Sequence, residues 1–452
     1  MTSSALIFAE QTAADSDDPR SLLVAGGLTL IERQLRQLER IGVARVYVVS
    51  RQKRVVLESA LKRAKGVPAD VEVLAPDEFH PAVLWKKDET VLLLEEGVVI
   101  DKRIIETACG NPDANDRRLA VFPGHTVVAG KSHGLKLQAA EQDYLFASAA
   151  LVWGGDVEHA ESDPEFAKSP LKAVLKAAVG SGPATLDDVT QIPIYLPDRR
   201  RKVDLVWRPV TTREEAVKAT RAVIAATQKG ALDWPAKYLH PWLENILVEL
   251  LCPSPITPNM ITALTAIGGL LVAWLFATGQ MGMALTGALV IGVLDGVDGK
   301  LARTKLESSK VGELEHILDK IIEYAWYFAI AWHLAKVTGG ALPWALAAVI
   351  SLFSWAEAVQ GEFFRRMTGR QLDDTGEFER SFRLIGARRN TKFWLLVPFA
   401  LYQAWLAGFT VLAFYGAATF FVAQVRFFMR VREFASQKSL EIKRNFDDTA
   451  YF

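Results

Sequence analysis

From about residue 256 onward the chain becomes a series of apolar runs of roughly 20 residues, the length that spans a bilayer as a helix. No other feature narrows the possible folds as much. Six spans are expected, at about 259–278, 281–299, 314–335, 341–363, 392–408 and 410–429. Up to about residue 230 the same chain reads as an ordinary soluble α/β protein, so its hydrophobic half is unevenly distributed. Between the two, Trp234 to Leu251 is amphipathic, with tryptophans and a tyrosine at its start, and reads as a helix lying in the membrane interface. The organisation this implies is a soluble domain over 1–230, an interfacial connector over 231–255, an all-α six-helix transmembrane domain over 256–432 and a tail over 433–452.

Charge sets the orientation. The 52 basic and 52 acidic residues balance overall, so nucleic acid is not an expected partner. The loops carrying Lys300, Arg303, Lys305 and Lys310, then Arg365, Arg366 and Arg370 through Lys392, are strongly basic, as is the tail from Arg426 to Lys443. Basic loops stay cytosolic, so an even number of spans puts both termini in the cytosol of a multi-pass protein of the cell (inner) membrane. The apolar run Ala5 to Ala9 is too short for a secretory signal, which also keeps the soluble half in the cytosol. Cys109 and Cys252 are too few for a disulfide framework or a zinc site, and the seven histidines show no ligand spacing.

One stretch places acids where a membrane protein can least tolerate them. Asp295-Gly-Val-Asp298-Gly299-Lys-Leu-Ala302-Arg303 closes one apolar run, and Glu315 and Asp319 open the next. Such groups are kept when a substrate, an ion or a metal needs them. Asp295 and Asp298 are i,i+3 on one helix and Glu315 and Asp319 i,i+4 on another, so two adjacent helices would present four carboxylates to one point. Four negative charges require cations, and oxygen-only ligands favour Mg²⁺ or Mn²⁺. Two such ions would clamp a diphosphate and stabilise attacking and leaving oxygens. Gly299 removes a side chain where a nucleotide would approach, and Arg303 offers a phosphate fork.

The pattern Asp295-x-x-Asp298-Gly-x-x-Ala302-Arg303, with Gly312 after it, resembles the signature of the CDP-alcohol phosphotransferases over roughly residues 250–430. Pro255-Ile-Thr-Pro-Asn259 is similar to the same family's lead into its first span. The resemblance implies transfer of a substituted phosphate from a CDP-alcohol, such as CDP-diacylglycerol or CDP-inositol, to an alcohol acceptor with release of CMP, among membrane lipids. It implies Asp295, Asp298, Glu315 and Asp319 as metal ligands and Asp319 as the base that takes the acceptor's proton. It implies Thr257, Asn259, Gly299, Ala302, Arg303 and Gly312 around the CDP group. Arg383, Arg389 and Lys392 would hold the phosphate of a phosphorylated acceptor such as an inositol phosphate, with positive-inside topology signals as their other reading. Dimerisation is common in the family, so a homodimer is implied too. One departure stands out: the positions four and eight after Gly312 hold His316 and Lys320. Shifting the register by one residue brings in Glu315 and Asp319, with Glu323 one turn on. The other reading is a degenerate site kept as a scaffold.

In the soluble half, strands alternate with helices. Ala5–Ala9, Arg45–Val49, Val71–Leu74 and Thr90–Leu94 read as strands, with helices over 30–41 and 55–65. Parallel βαβ units and a doubly wound, Rossmann-like sheet follow. Leu119–Phe122, Thr126–Val128 and Leu145–Val152 would complete it, and Arg199–Lys202 reads as a solvated turn or a weak attraction to anionic headgroups. Gly27 to Gly42 followed by a valine-rich strand resembles the sugar-phosphate nucleotidyltransferases. The fusion of the two halves resembles the bifunctional inositol-phosphate cytidylyltransferase/di-myo-inositol-phosphate-phosphate synthases. The phosphate loop after the first strand, however, is Glu10-Gln-Thr-Ala-Ala-Asp-Ser-Asp-Asp18, without a glycine and with carboxylates that repel phosphate. The family's metal aspartate appears as Glu95-Glu96. A structural or regulatory remnant is therefore the expectation for this half, with synthesis of the CDP-alcohol from CTP as its alternative.

Overall fold

The computed structural model describes residues 4–51, 54–110, 116–128, 134–139, 142–307 and 312–436, and for residues 139 and 312–316 the backbone alone. Eight strands form one sheet: β1 (Ser4–Phe8), β2 (Arg45–Val49), β3 (Asp70–Leu74), β4 (Thr90–Glu95), β5 (Arg117–Pro123), β6 (Lys136–Ala139), β7 (Gln142–Trp153) and β8 (Ala184–Asp188). Their order is β8-β5-β7-β4-β1-β2-β3, with β6 beside β7. Strands β4, β1, β2 and β3 are mutually parallel, as the alternation of strands and helices requires. Strand β7 runs antiparallel to both β4 and β5, so the sheet is mixed rather than wholly parallel. Ile7, Val48, Leu92 and Leu94 are fully or almost fully buried, which is why these strands read as near-continuous apolar runs. Helix α1 (Leu30–Arg40) starts at Thr29, whose hydroxyl accepts the Glu32 N–H, and packs Ile31, Leu35 and Leu38 on the same core. The stretch 126–128, expected as a strand, is not one.

Helix α2 (Arg213–Ala226) and α3 (His240–Leu251) lead into the bundle: α4 (Pro258–Ala277), α5 (Met281–Thr304), α6 (Gly312–Thr338), α7 (Leu342–Thr368), the short α8 (Glu377–Ile385), α9 (Arg389–Leu401) and α10 (Trp405–Ala435). Among the described residues four helices, α4, α5, α7 and α10, are long and apolar enough to cross a membrane. The other two expected spans differ in instructive ways. Helix α6 has 27 residues, but Asp319, Lys320 and Glu323 interrupt its first half. Helix α9 has only 13, about 20 Å at 1.5 Å per residue, and ends at a turn where Gln403 takes a φ of 54°. The fifth run is therefore a shorter helix than 392–408 implied, and α10 begins five residues earlier than 410.

The outward faces carry large apolar side chains: Ile267, Leu270 and Trp274 on α4, and Phe414, Phe421 and Phe428 on α10, are all more than half exposed. A continuous apolar surface of that kind needs lipid around it. Inside, Tyr327 and Phe393 stack at 5.8 Å with Trp326 edge-on to Phe393, tying α6 to α9.

The halves are joined by specific contacts. The guanidinium of Arg33 donates to Thr304 O (2.6 Å), the last carbonyl of α5, and that of Arg36 to the following Lys305 O (2.8 Å). Arg200 binds the Asp373 carboxylate at 2.7 Å, and Tyr195 donates to Asp374. The basic run Arg199–Lys202 is thus not a solvated turn: Arg200 is buried against the loop before α8.

Candidate active site

A cavity of about 1030 Å³ opens between the connector and helices α5, α6, α7 and α9. The motif reaches it through helical geometry. Asp295, Gly299 and Arg303 recur at four-residue steps along α5, so all three line the cavity, and Asp298 joins them from the i+3 position. Asp319 comes from α6 and Arg389 from the first turn of α9.

The carboxylates of Asp295 and Asp319 are about 30% exposed, and one guanidinium bridges them: Arg389 lies 2.6 Å from Asp295 and 3.4 Å from Asp319. Asp298 is buried, and the Thr262 hydroxyl donates to it at 3.0 Å. Two carboxylates from different helices that share one cation are a donor set of the hard-oxygen kind that divalent ions take. The Arg389 guanidinium stands where such an ion's charge would be. As they stand, no three acidic, histidine or cysteine groups among the described residues are close enough to hold an ion together. The side chain of Glu315 lies outside the described residues.

The remaining expected residues fall into three groups. Gly299 and Arg303 line the cavity, and the Arg303 Nε–H donates to Thr227 O at 3.0 Å. Thr257, Asn259 and Ala302 do not line it: the Thr257 hydroxyl caps α4, accepting the Met260 N–H, and Asn259 is exposed at that helix's first turn. Gly312 begins α6. Among the basic residues, Arg383 lines the cavity while paired with Asp373 at 2.7 Å, and Arg389 lies on the acids rather than apart from them. Lys392 is a correction. It is buried in the bundle, bonded to Glu323 (3.1 Å), Tyr327 and Ser354, because only internal acceptors are within reach from its side of α9.

Some contributors went unforeseen. Thr262 lies one turn beyond Asn259, so the helical face of the Pro255–Asn259 lead could have indicated it. His240 lines the cavity at 2% exposed, with neither ring nitrogen hydrogen-bonded among the described residues. Glu244, beside it, holds Lys300 at 2.9 Å, both buried.

The soluble half has its own acidic pair, and both members are engaged internally. One Glu96 carboxyl oxygen accepts the backbone N–H groups of Glu10 (2.8 Å) and Gln11 (2.6 Å), the loop that follows β1. Those amides are the donors a phosphate would need there. Burial pushes the Glu96 carboxyl up to about 8, against the two amides and Arg20. Glu95 accepts the Ser148 hydroxyl at 2.7 Å, and Trp207 donates to that same Ser148 oxygen.

Residues 255–373 match the model of the CDP-alcohol phosphatidyltransferase family. A bifunctional IPC transferase and DIPP synthase of Aquifex aeolicus is 25% identical over 410 residues, 87% of this chain and 90% of that protein. The protein of the same description from Thermococcus kodakarensis is 29% identical over 203 residues, 44% of this chain and 45% of that one. Among solved structures, the inositol-1-phosphate CTP transferase from T. maritima is 13% identical with a TM-score of 0.35, covering 47% of this chain and 91% of its own. With the motif helices around one cavity in a lipid-facing bundle, the chain is a membrane protein that carries a CDP-alcohol phosphatidyltransferase domain, and it is a transferase of that type.

Proposed function

We propose that the membrane half transfers a substituted phosphate from a CDP-alcohol to an alcohol acceptor and releases CMP, and that an inositol phosphate is among the substrates. The observation that carries this is the convergence of Asp295, Asp298, Asp319, Arg303 and Arg389 on one cavity within the residues that match the family. The acceptor oxygen attacks the phosphorus that bears the donor alcohol. The bond from that phosphorus to the CMP oxygen breaks, and CMP leaves with the bonding pair. Asp319 takes the acceptor's proton from its partly exposed position in the cavity. Asp295, Asp298 and Asp319, with Glu315, would hold Mg²⁺ or Mn²⁺, which supplies charge neutralisation at the diphosphate. Arg389 then turns from the acids to the phosphates, a guanidinium being equally suited to either.

The domains run 1–230, 231–255, 256–432 and 433–452, with six helices in the membrane and both termini cytosolic. The basic ends of α5, α7 and α10 support this orientation. Reporter fusions at each terminus and in the 339–341 turn test it: activity of a cytosolic reporter at the turn alone rejects it.

The test of the chemistry is CMP release in membranes, with CDP-diacylglycerol or CDP-inositol as donor and inositol phosphate or a neutral alcohol as acceptor. Release that needs Mg²⁺ or Mn²⁺ and falls at least about a hundredfold in Asp319→Asn supports the reading, a general base being worth 10²–10⁴. Undiminished release in both Asp319→Asn and Asp295→Asn rejects it. The Aquifex relative aligns over both halves, which supports a second reading in which the soluble half makes the CDP-alcohol from CTP. The Glu96 contacts argue for the first alone. Pyrophosphate from CTP and an alcohol phosphate, released by the full chain carrying Asp319→Asn, would establish the second.

A further inference from the structure

The segment that leaves the soluble half forms one wall of the membrane-domain cavity. Gln228, Lys229 and Asp233 line it, followed by His240 and Glu244 of α3. The backbone there is pinned by the soluble domain. The Gly230 N–H donates to Arg199 O (2.8 Å), Arg199 donates to Ala226 O (2.8 Å), and Arg201 donates to Ala225 O (2.9 Å). A Cβ at Gly230 would lie 2.4 Å from Arg200 O, so the approach is close enough to require glycine.

Lys229 stands apart from the other cavity cations. Lys300, Arg383, Arg388 and Arg389 each have a carboxylate within 4 Å, and Arg303 donates to Thr227 O, whereas Lys229 has neither an ion pair nor a side-chain hydrogen bond among the described residues. Its charged surroundings are Arg303, Arg200 and Arg383, with Asp295 as the counterweight. Burial, then those arginines, pull its ammonium down to about 8. A half-buried cation among cations is favoured by an anion that joins it. The same wall holds His240, neither of whose ring nitrogens is hydrogen-bonded among the described residues, with the Glu244 carboxylate 3.9 Å from Nδ1.

We propose that Lys229 binds a phosphate group of the substrate, so that the soluble half completes the membrane-domain site by holding this lysine in place. The phosphate's identity rests on the transferase reading above; the binding itself does not. A phosphate could come from the CDP group of the donor or from a phosphorylated acceptor, and both present the same oxygens to the ammonium.

The test uses the purified full chain in detergent. Lysines are reductively methylated, and Lys229 is quantified by mass spectrometry with chloride, inorganic phosphate or CDP present. Protection by CDP assigns the donor diphosphate, and protection by inorganic phosphate without CDP protection assigns the acceptor. Equal modification in all three overturns the proposal. In turnover, Lys229→Met raises KM for the phosphate-bearing substrate roughly 10- to 100-fold with kcat nearly unchanged, the range of one hydrogen bond to a charged group. Lys229→Arg recovers most of it, which a purely structural role would not produce. An unchanged KM for both substrates in Lys229→Met likewise overturns the proposal. Should wild type turn over no CDP-alcohol, the transferase reading fails while the labelling still decides on Lys229; should Lys229→Met not fold, the wild-type labelling decides alone.

Discussion

Adding one methyl group at Gly296 should damage the fold more than adding one at Gly299, although both glycines sit in the same motif. An ideal Cβ at Gly296 would lie 2.1 Å from Glu244 Oε1, 2.6 Å from its Cδ and 3.3 Å from its Cγ. The Glu244 side chain cannot simply swing away. It is buried, and its other oxygen holds the equally buried Lys300 at 2.9 Å. At Gly299 the nearest atom is Arg303 Nη1 at 3.2 Å, the tip of a long side chain that gives by a few tenths of an ångström. Overpacking of the first kind costs about 1–3 kcal/mol. For a bundle of this size each kcal/mol lowers Tm by roughly 2–4 °C, so Gly296→Ala should melt about 2–12 °C below wild type in detergent and Gly299→Ala within about 2 °C of it. The decisive measurement is the double-mutant cycle with Glu244→Ala, which removes the clashing atoms. Thermal melts read by size-exclusion chromatography should show Gly296→Ala nearly neutral in that background, a coupling of about 1–3 kcal/mol. The same loss in both backgrounds, or no loss in either, would refute the reasoning.

Two further outcomes follow from buried charges. Lys392→Met strands Glu323 inside the bundle with Lys320 as its remaining cation, so it should destabilise by about 3–5 kcal/mol, and adding Glu323→Gln should recover much of that; the melts of the single and double variants check it. For Glu96, the folded chain keeps a proton that the unfolded chain releases above its ordinary 4.5. Its stabilising contribution is complete below pH 4.5, declines as pH rises, and is gone above about 8, a change on the order of 5 kcal/mol at most. Melts of the soluble half within the full chain at pH 5, 6.5 and 8 should slope down in wild type and flatten in Glu96→Gln; parallel curves would rule out the buried proton.

What could be read from the sequence was what short-range periodicity controls. Asp295, Asp298, Gly299 and Arg303 share a helix, so their spacing alone puts them on one cavity wall. The alternation of apolar strands with helices likewise foretold the parallel core of the sheet. The antiparallel course of β7 was not readable, because a buried strand shows the same apolar run in either direction. Partners far apart in sequence were equally hidden. Arg200 finds Asp373 across 173 residues, so its run looked like a solvated turn. Arg389 and Lys392 are one turn apart on α9, yet one meets the acids of the cavity and the other the core network around Glu323. Spacing predicts that two side chains are neighbours, but not which packed neighbour each will meet. The connector was read as an interfacial helix, and its second role, as a wall of the cavity, depends on how the soluble half docks.

That docking gives a physical reason for a soluble domain whose phosphate-loop amides are taken by its own carboxyl. Helix α5 carries the motif and ends at Thr304, where its last carbonyls have no partners within the helix. Arg33 and Arg36, both buried on α1, donate to Thr304 O and to the following Lys305 O, and their charge also suits the negative end of the helix dipole. A Cβ at Gly27 would lie 2.1 Å from Cys252 O, so the turn before α1 sits directly on the end of α3. Farther round, Arg200 holds Asp373, which in turn holds Arg383 at the cavity, and Tyr195 holds Asp374, which pairs with Arg380. Removing the domain would leave these carbonyls and carboxylates short of their partners, each at a cost of about 1–3 kcal/mol where no water replaces them. Positioning the two motif aspartates and Arg383 is then a role for the soluble fold that does not depend on any nucleotide chemistry of its own. Arg33, Arg36, Tyr195 and Arg200, which contact the membrane half, carry that role, and the acidic loop from Glu10 to Asp18 takes no part in these four contacts.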